Sequence, residues 1–259
     1  MGQMPESSPS ELLKVALLYS FDDSNLDGIK ELAREGSGVT ALTLKRTLRP
    51  QCGYDIFPFK DITKLHFSKN RLGPHAFNFL MLALAKAPET LTYVDASSNM
   101  ATHECCGVIA EMIAATKAIK WLDISDNPLT TSAAESVGGA LRSNRSLQHL
   151  GISSVGIVDA SALFDGLAGH PLESLDIANN ACGPRSFSKL GEKLAAGLAL
   201  RTLLARGVDM RNEGAAALAG GIRACRRVAR QEGGGWSGRV ANRSEEEEYG
   251  VVQQRRGAR

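Results

Sequence analysis

The chain has 259 residues, 43% of them hydrophobic and only 5% aromatic, with a formal net charge of +2. That length can bury a real core in one large domain or two small ones, and the shortage of aromatics points to a core of Leu, Ile, Val and Ala. A charge so close to balance gives no whole-chain drive toward nucleic acid or a membrane surface, and no nucleic acid partner is expected.

Residues 1–11 are polar and read as a disordered amino terminus. The apolar run that follows, "LLKVALLYS" from Leu12, is short, is preceded by Glu11 and is interrupted by Lys14. It makes a poor signal peptide, and no stretch of the chain reaches the roughly 18–20 apolar residues that span a bilayer. The five cysteines, Cys52, Cys105, Cys106, Cys182 and Cys225, are odd in number and lack framework spacing. A reducing cytosol is the compartment these features indicate.

From Leu12 to residue 223 the chain repeats itself. "LLKVALLYS" at Leu12 and "VTALTLKRTL" at Val39 open the series loosely. "ITKLHFSKNRL" at Ile62, "LTYVDASSNM" at Leu91, "IKWLDISDNPL" at Ile119, "LQHLGISSVGI" at Leu147, "LESLDIANNAC" at Leu172 and "LRTLLARGVDM" at Leu200 carry it on. The last five offsets are 29, 28, 28, 25 and 28 residues. All follow L-x-x-L-x-L-x-x-N/C-x-L, so about eight leucine-rich repeats of 23–29 residues form an α/β solenoid, a horseshoe. Parallel strands should line its concave side and helices its convex side.

The spacing has a direct physical reading. The fourth and sixth positions of each unit lie on one face of a short strand and enter the core. The chain then turns, and an Asn at position nine can bond backbone groups that the turn leaves without partners. Asn70, Asn99, Asn127 and Asn180 should therefore form a ladder of turn side chains, from which Thr47, Val155 and Val208 depart. The second half of each unit has helical period. Phe77, Leu80, Met81 and Leu84 mark one face, and Val108, Ile109, Met112 and Ile113 the next. Val137, Ala140 and Leu141, then Leu163, Phe164 and Leu167, then Phe187, Leu190 and Leu194 continue it, and Ala215, Leu218, Ala219 and Ile222 close it.

Past Gly221 the apolar period stops. Residues 224–259 carry eight Arg and five Glu, a net +3, and read as a disordered tail in which "EEEE" at 245–248 is a solvated charge run.

With strands in register, positions three and five form rows on the concave face. Row three contains Lys64, Tyr93, Trp121 and His149; row five contains His66, Asp95, Asp123 and Asp176. Aromatics beside carboxylates offer a protein partner rigid area with a polar rim, so these eight residues are the candidate binding surface. The plainer alternative is that Asp after the second Leu is a habitual, solvated repeat residue. No catalytic, cofactor-binding or metal-binding residues are assigned. "HECC" at 103–106 lacks a second ligand pair at zinc spacing and reads as a helix start with buried thiols. Ser68, His66 and Asp95 are triad residue types whose orientation spacing cannot supply. There is no P-loop, and no G-x-G-x-x-G follows a strand.

"LDISDN" at 122–127, followed by "SNRSLQHL" at 143–150, resembles the repeat domain of CARMIL proteins, the capping protein, Arp2/3 and myosin-I linkers. "LTLKRTL" at 42–48 with the long unit after it, "VIAEMIAATKAIKWLDISDN" and "PLESLDIANN" match in the same order, over about residues 12–222. The resemblance implies a non-enzymatic cytoplasmic scaffold that regulates actin filament assembly at the cytoskeleton, cell cortex or leading edge. Its partners would be actin-assembly proteins, with peripheral membrane association in the full-length family. That family's capping-protein-interacting segment carries basic Arg-Pro motifs beyond the repeats. Here the only Arg-Pro is Arg49-Pro50, so uncapping activity is not expected of this chain. Two other readings remain open: a GTPase-activating repeat protein like the Ran activator, with Arg49 as its candidate residue, and an innate-immune-receptor repeat module.

Overall fold

The computed structural model describes the backbone of residues 41–43, 63–87, 89–231, 236–238 and 252–254, and the side chains of residues 63–87 and 89–225. The unit expected at Leu12, the turn at Thr47, Arg49, Cys52, the "EEEE" run and the terminus at 1–11 lie outside them.

Among the described residues there are seven strands of the repeat, and each after the first is followed by a helix. They are β1 (Ala41–Thr43), β2 (Lys64–His66), α1 (Gly73–Leu84), β3 (Tyr93–Asp95), α2 (Cys106–Ala115), β4 (Trp121–Asp123), α3 (Ser132–Leu141) and β5 (His149–Gly151). After these come α4 (Ser161–Gly166), β6 (Ser174–Asp176), α5 (Pro184–Ala195), β7 (Thr202–Leu204) and α6 (Arg211–Gln231). Strands β1 to β7 form one sheet in sequential order, every neighbouring pair parallel. This is a leucine-rich repeat solenoid. Strands sit about 4.8 Å apart while helices need about 8–10 Å, so the sheet takes the inner, concave side. The expected boundary at 223 falls inside α6, and beyond it a short antiparallel pair joins β8 (Trp236–Gly238) to β9 (Val252–Gln254).

Each strand is only three residues long, but its ladder runs further. The N–H groups of Phe67, Ala96, Ile124, Ile152 and Ile177 each reach a carbonyl of the next unit at 2.8–2.9 Å. Positions four and six are therefore held in extended backbone, and Leu65, Phe67, Val94, Leu122, Ile124, Leu150, Ile152, Leu175 and Ile177 are all buried. The turn then passes through a left-handed residue at position eight, where Lys69, Ser98, Asp126, Ser154, Asn179 and Gly207 have φ between 53° and 68°.

The asparagine ladder spans neighbouring units. Asn99 Oδ1 accepts the Asn70 N–H at 3.1 Å, and Asn127 Oδ1 accepts the N–H groups of Asn99 and Ala101 at 2.9 and 3.0 Å. Asn180 Oδ1 takes three N–H groups, from Val155, Gly156 and Ile157. Val155 offers no such acceptor to the turn before it. There the Leu129 N–H bonds the Asn127 carbonyl at 2.7 Å, the Thr130 N–H bonds the Val155 carbonyl at 2.8 Å, and Thr130 takes a φ of 64°.

The convex helices bury the faces expected of them except at Val108, which is half-buried, and at the end. Ala215 is exposed, and the buried face of α6 runs through Gly214, Leu218, Gly221 and Cys225. The phase is set by backbone contact: a Cβ on Gly221 would stand 2.2 Å from the Gly191 carbonyl oxygen. The 25-residue offset after Leu147 has its own cause in α4, which is only six residues long.

Two buried residues escaped the sequence reading. Asn144, 3% exposed, accepts the Ser146 and Leu147 N–H groups, each at 2.9 Å, and donates to the Ile113 and Thr116 carbonyls, tying α2 to the start of β5. His170, 1% exposed, accepts the Leu172 N–H on Nδ1 at 3.1 Å, and its Nε2 is buried without a hydrogen-bond partner. Burial, with Arg145 nearby, holds its pKa down at about 4 from an ordinary 6.5. The unfolded chain therefore binds the proton that the folded chain refuses, so stability is whole above pH 6.5 and falls as the pH drops toward 4. The loss should approach about 3 kcal/mol, from 2.5 pKa units at about 1.4 kcal/mol each. Urea melts between pH 7 and 4.5 should show this slope, and His170→Gln should flatten it whatever its effect on stability at pH 7. An unchanged slope in that variant would mean that His170 titrates as an exposed imidazole.

Candidate binding surface on the concave face

Strand register places every expected surface residue in its row. Lys64 pairs with Tyr93, Tyr93 with Trp121, Trp121 with His149, and His149 with Ser174. In the other row His66 pairs with Asp95, Asp95 with Asp123, Asp123 with Gly151, and Gly151 with Asp176. Lys64 is exposed and the other seven candidates are half-buried, as side chains standing on an open sheet should be.

Three rings form a continuous stack. Tyr93 and Trp121 lie face to face, centroids 4.0 Å apart and planes within 9°, and His66 leans on Tyr93 at 4.6 Å and 42°. The Tyr93–Trp121 stack follows from register, because adjacent strands bring row-three Cβ atoms within stacking distance, and His66 reaches Tyr93 diagonally from row five. Burial, then the charges of Asp95 and Asp123, raise the Tyr93 phenol pKa, so the hydroxyl stays protonated at neutral pH. Among the described residues no ring contact joins Trp121 to His149, so the stack ends at Trp121.

The aspartates have a local task that the sequence reading left out. Asp95 Oδ1 accepts the Ser97 hydroxyl at 2.8 Å and its N–H at 3.2 Å; Asp123 Oδ1 accepts the Ser125 N–H and Asp176 Oδ1 the Ala178 N–H, each at 2.9 Å. Each carboxylate thus braces the turn two residues on, an Asx pattern that D-x-S signals at Asp95 and Asp123 and that Asp176 makes to the backbone of Ala178. Their electrostatics then diverge. Burial acts first on Asp95 and would raise its pKa, but His66, Ser97 and Ser68 outweigh it and lower it; His66 Nδ1 lies 3.8 Å from Asp95 Oδ2. Asp123 is raised by burial and by its neighbours Asp95 and Asp176, and Asp176 by burial and Asp126.

Ser68 and His66 both turn to Asp95. The carboxylate, not the imidazole, holds the Ser68 hydroxyl, and Ser68 is only 5% exposed. This arrangement gives no base-activated nucleophile. The thiols of Cys105, Cys106 and Cys182 are equally inert. Cys105 Sγ faces the Pro74 carbonyl, Cys106 Sγ the Leu129 carbonyl and Cys182 Sγ the Ile157 carbonyl. Burial pushes Cys106 up to about 11 and Cys182 up to about 12, which leaves almost no thiolate at neutral pH. His103 and Glu104 of "HECC" are exposed while both cysteines point inward, and among the described residues no three His, Cys, Asp or Glu side chains could share a metal ion. No described helix is long and apolar enough to cross a membrane.

No protein-family model matches the chain. Over 101 residues, 39% of its length, it is 29% identical to NACHT, LRR and PYD domains-containing protein 13 of Homo sapiens, and it spans 10% of that protein. Among solved structures it is similar to leiomodin-1 actin-binding site 2, with TM-score 0.48 and 18% identity over 62% of this chain and 98% of that one. It is also similar to the tropomodulin C-terminal domain of Caenorhabditis elegans, with TM-score 0.49 and 13% identity over 60% and 96% of the two chains. An internalin of Listeria monocytogenes gives TM-score 0.42 and 18% identity over 82% and 62%.

Proposed function

We propose that this chain is a non-enzymatic protein-interaction scaffold that holds a partner on its concave face, in a CARMIL-like role in actin filament assembly. The observation that carries the interaction reading is the His66–Tyr93–Trp121 stack standing on the open face of the sheet beside Asp95 and Asp123. Preformed stacked rings lose little side-chain freedom on binding, so they supply contact area at low entropic cost. The actin assignment rests on the ordered resemblance of residues 12–222 to the CARMIL repeat domain, and it includes no uncapping activity.

Affinity capture from cytosol with the full chain should return actin-assembly proteins. Trp121→Ala should weaken that capture by about 2 kcal/mol, roughly thirtyfold, with the circular dichroism spectrum unchanged. Capture that is indifferent to Trp121 would remove the concave face as the binding surface. A second reading, a receptor-type repeat module, is favoured by the match to the human NACHT, LRR and PYD protein. Captured proteins unrelated to actin, lost in the same variant, would select it.

A further inference from the structure

The sheet ends on an edge. From β2 to β6 the N–H at position six reaches a carbonyl of the next unit, as Ile177 reaches Leu204 at 2.9 Å. Among the described residues β7 is the last strand of that sheet, so the N–H of Ala205, its own position six, has no next unit to meet. Leu203 turns its backbone groups the same way, because its neighbours face β6: the Thr202 N–H bonds the Glu173 carbonyl at 2.9 Å and the Leu204 carbonyl accepts from Ile177. The core is nonetheless nearly closed at this end, with Leu203 8% exposed against 0% for Leu175 inside the array. The chain itself returns to the edge. Helix α6 is 21 residues long against 12 in α5, which carries the chain past its own unit. Residues 232–235, "EGGG", then lead into β8, which pairs antiparallel with β9, Ser237 opposite Gln253. Cα atoms of β9 come within 8 Å of those of β7.

We propose that the β8–β9 ribbon is a built-in cap seated over the β7 edge, and that it keeps this edge from pairing with the same edge of a second copy of the chain. An unpaired edge strand is a template for another strand, and repeat arrays need a polar cap at each end to stay soluble. Without the ribbon, two copies can meet about a twofold axis with β7 antiparallel to β7, which satisfies Leu203 and Ala205 in both. The ribbon needs the edge in return, since two strands of three residues are too short to hold together alone in water. Its sequence, "WSG" and "VQQ", mixes Trp236 and Val252 with Ser237, Gln253 and Gln254 and carries no charge, a composition suited to a border between core and solvent. The two strands form a sheet of their own, so the ribbon covers β7 without extending its ladder and can be displaced as a unit.

The first test keeps the full chain. A nitroxide on Gln253→Cys, with Cys52→Ser and the thiols of Cys105, Cys106, Cys182 and Cys225 shielded by burial, should broaden the amide signals of Leu203 and Ala205 and leave Leu65 of β2 sharp. The second removes the cap. A chain ending at Gln231 should gain mass with concentration in sedimentation equilibrium where the full chain does not. In dilute solution its Ala205 amide should exchange about tenfold faster or more. The full-length double variant Ser237→Pro, Gln253→Pro breaks the ribbon's pairing without shortening the chain and should reproduce both changes. It decides the matter should the shortened chain fold poorly. Sharp signals for Leu203 and Ala205 in the labelled chain overturn the proposal, as do mass and exchange that both cap-less variants leave unchanged. None of these readouts involves Trp121, so the cap and the concave surface stand or fall separately.

Discussion

Gly166→Val is expected to lower the unfolding free energy by about 4 kcal/mol or more, a large share of what a domain of this size has. A Cβ on Gly166 would stand 2.1 Å from the Gly138 carbonyl oxygen and 2.7 Å from its Cα, so the obstacle is backbone, which cannot rotate away. Gly138 in turn would place a Cβ 2.3 Å from the Ala162 carbonyl oxygen. Helices α3 and α4 meet backbone to backbone, and any side chain at these positions must push them apart against the covalent spacing of the strands behind them. Overpacking that moves whole elements costs more than overpacking that moves a rotamer. The control is one residue from Gly138. Gly139 is exposed with nothing within 4 Å of its Cβ position, so Gly139→Ala should stabilise the helix by roughly 1 kcal/mol. Urea midpoints measure both, and opposite signs for Gly166→Val and Gly139→Ala are the result that supports this packing.

Asn180→Ala should cost roughly 3–5 kcal/mol. Its Oδ1 accepts the N–H groups of Val155, Gly156 and Ile157 at 3.0–3.2 Å, and its Nδ2 donates to the carbonyls of Ile152, Ile177 and Ala178 at 2.9–3.2 Å. Asn180 is 1% exposed, so truncation strands several buried backbone groups at about 1–3 kcal/mol each, less whatever entering water recovers. Amide hydrogen exchange should locate the damage, with Val155, Gly156 and Ile157 losing protection while amides of the first described repeats keep theirs. Uniform loss along the solenoid would mean that the rung is not a local clasp. Asn180→Asp keeps the three acceptor bonds but turns a carboxylate toward three carbonyls, so its penalty should grow as the pH rises.

Much of this was legible because the repeat is a covalent ruler. Once Leu122 and Ile124 are placed in the core, strand alternation sends Trp121 and Asp123 to the other face, and units of nearly equal length bring Tyr93, Trp121 and His149 into one row. The same reasoning picks Asn99, Asn127 and Asn180 for the turns. The error at the last helix has a physical origin: a run of Ala and Gly carries little hydrophobic contrast, so periodicity gave Ala215 where contact with α5 buries Gly214 and Gly221.

Other features depend on distances between units, which no single repeat contains. Asn144 follows a helix as an ordinary polar residue until the carbonyls of Ile113 and Thr116 come within 3.0 Å of it. His170 is a loop histidine by sequence and a buried neutral one by packing. The unit length by itself determined which residues are core, which turn and which face the open sheet, because strand and helix periods are local properties of the backbone. Only the stacking of units decided that Trp121 closes an aromatic stack, that Asp95 is relieved by His66 while the charges of Asp95 and Asp176 add to burial on Asp123, and that the Asp123 carboxylate lies over Gly151. Ring contact, charge neutralisation and close approach depend on atoms some 25 to 30 residues apart in the chain, which become neighbours only when the next coil is laid down.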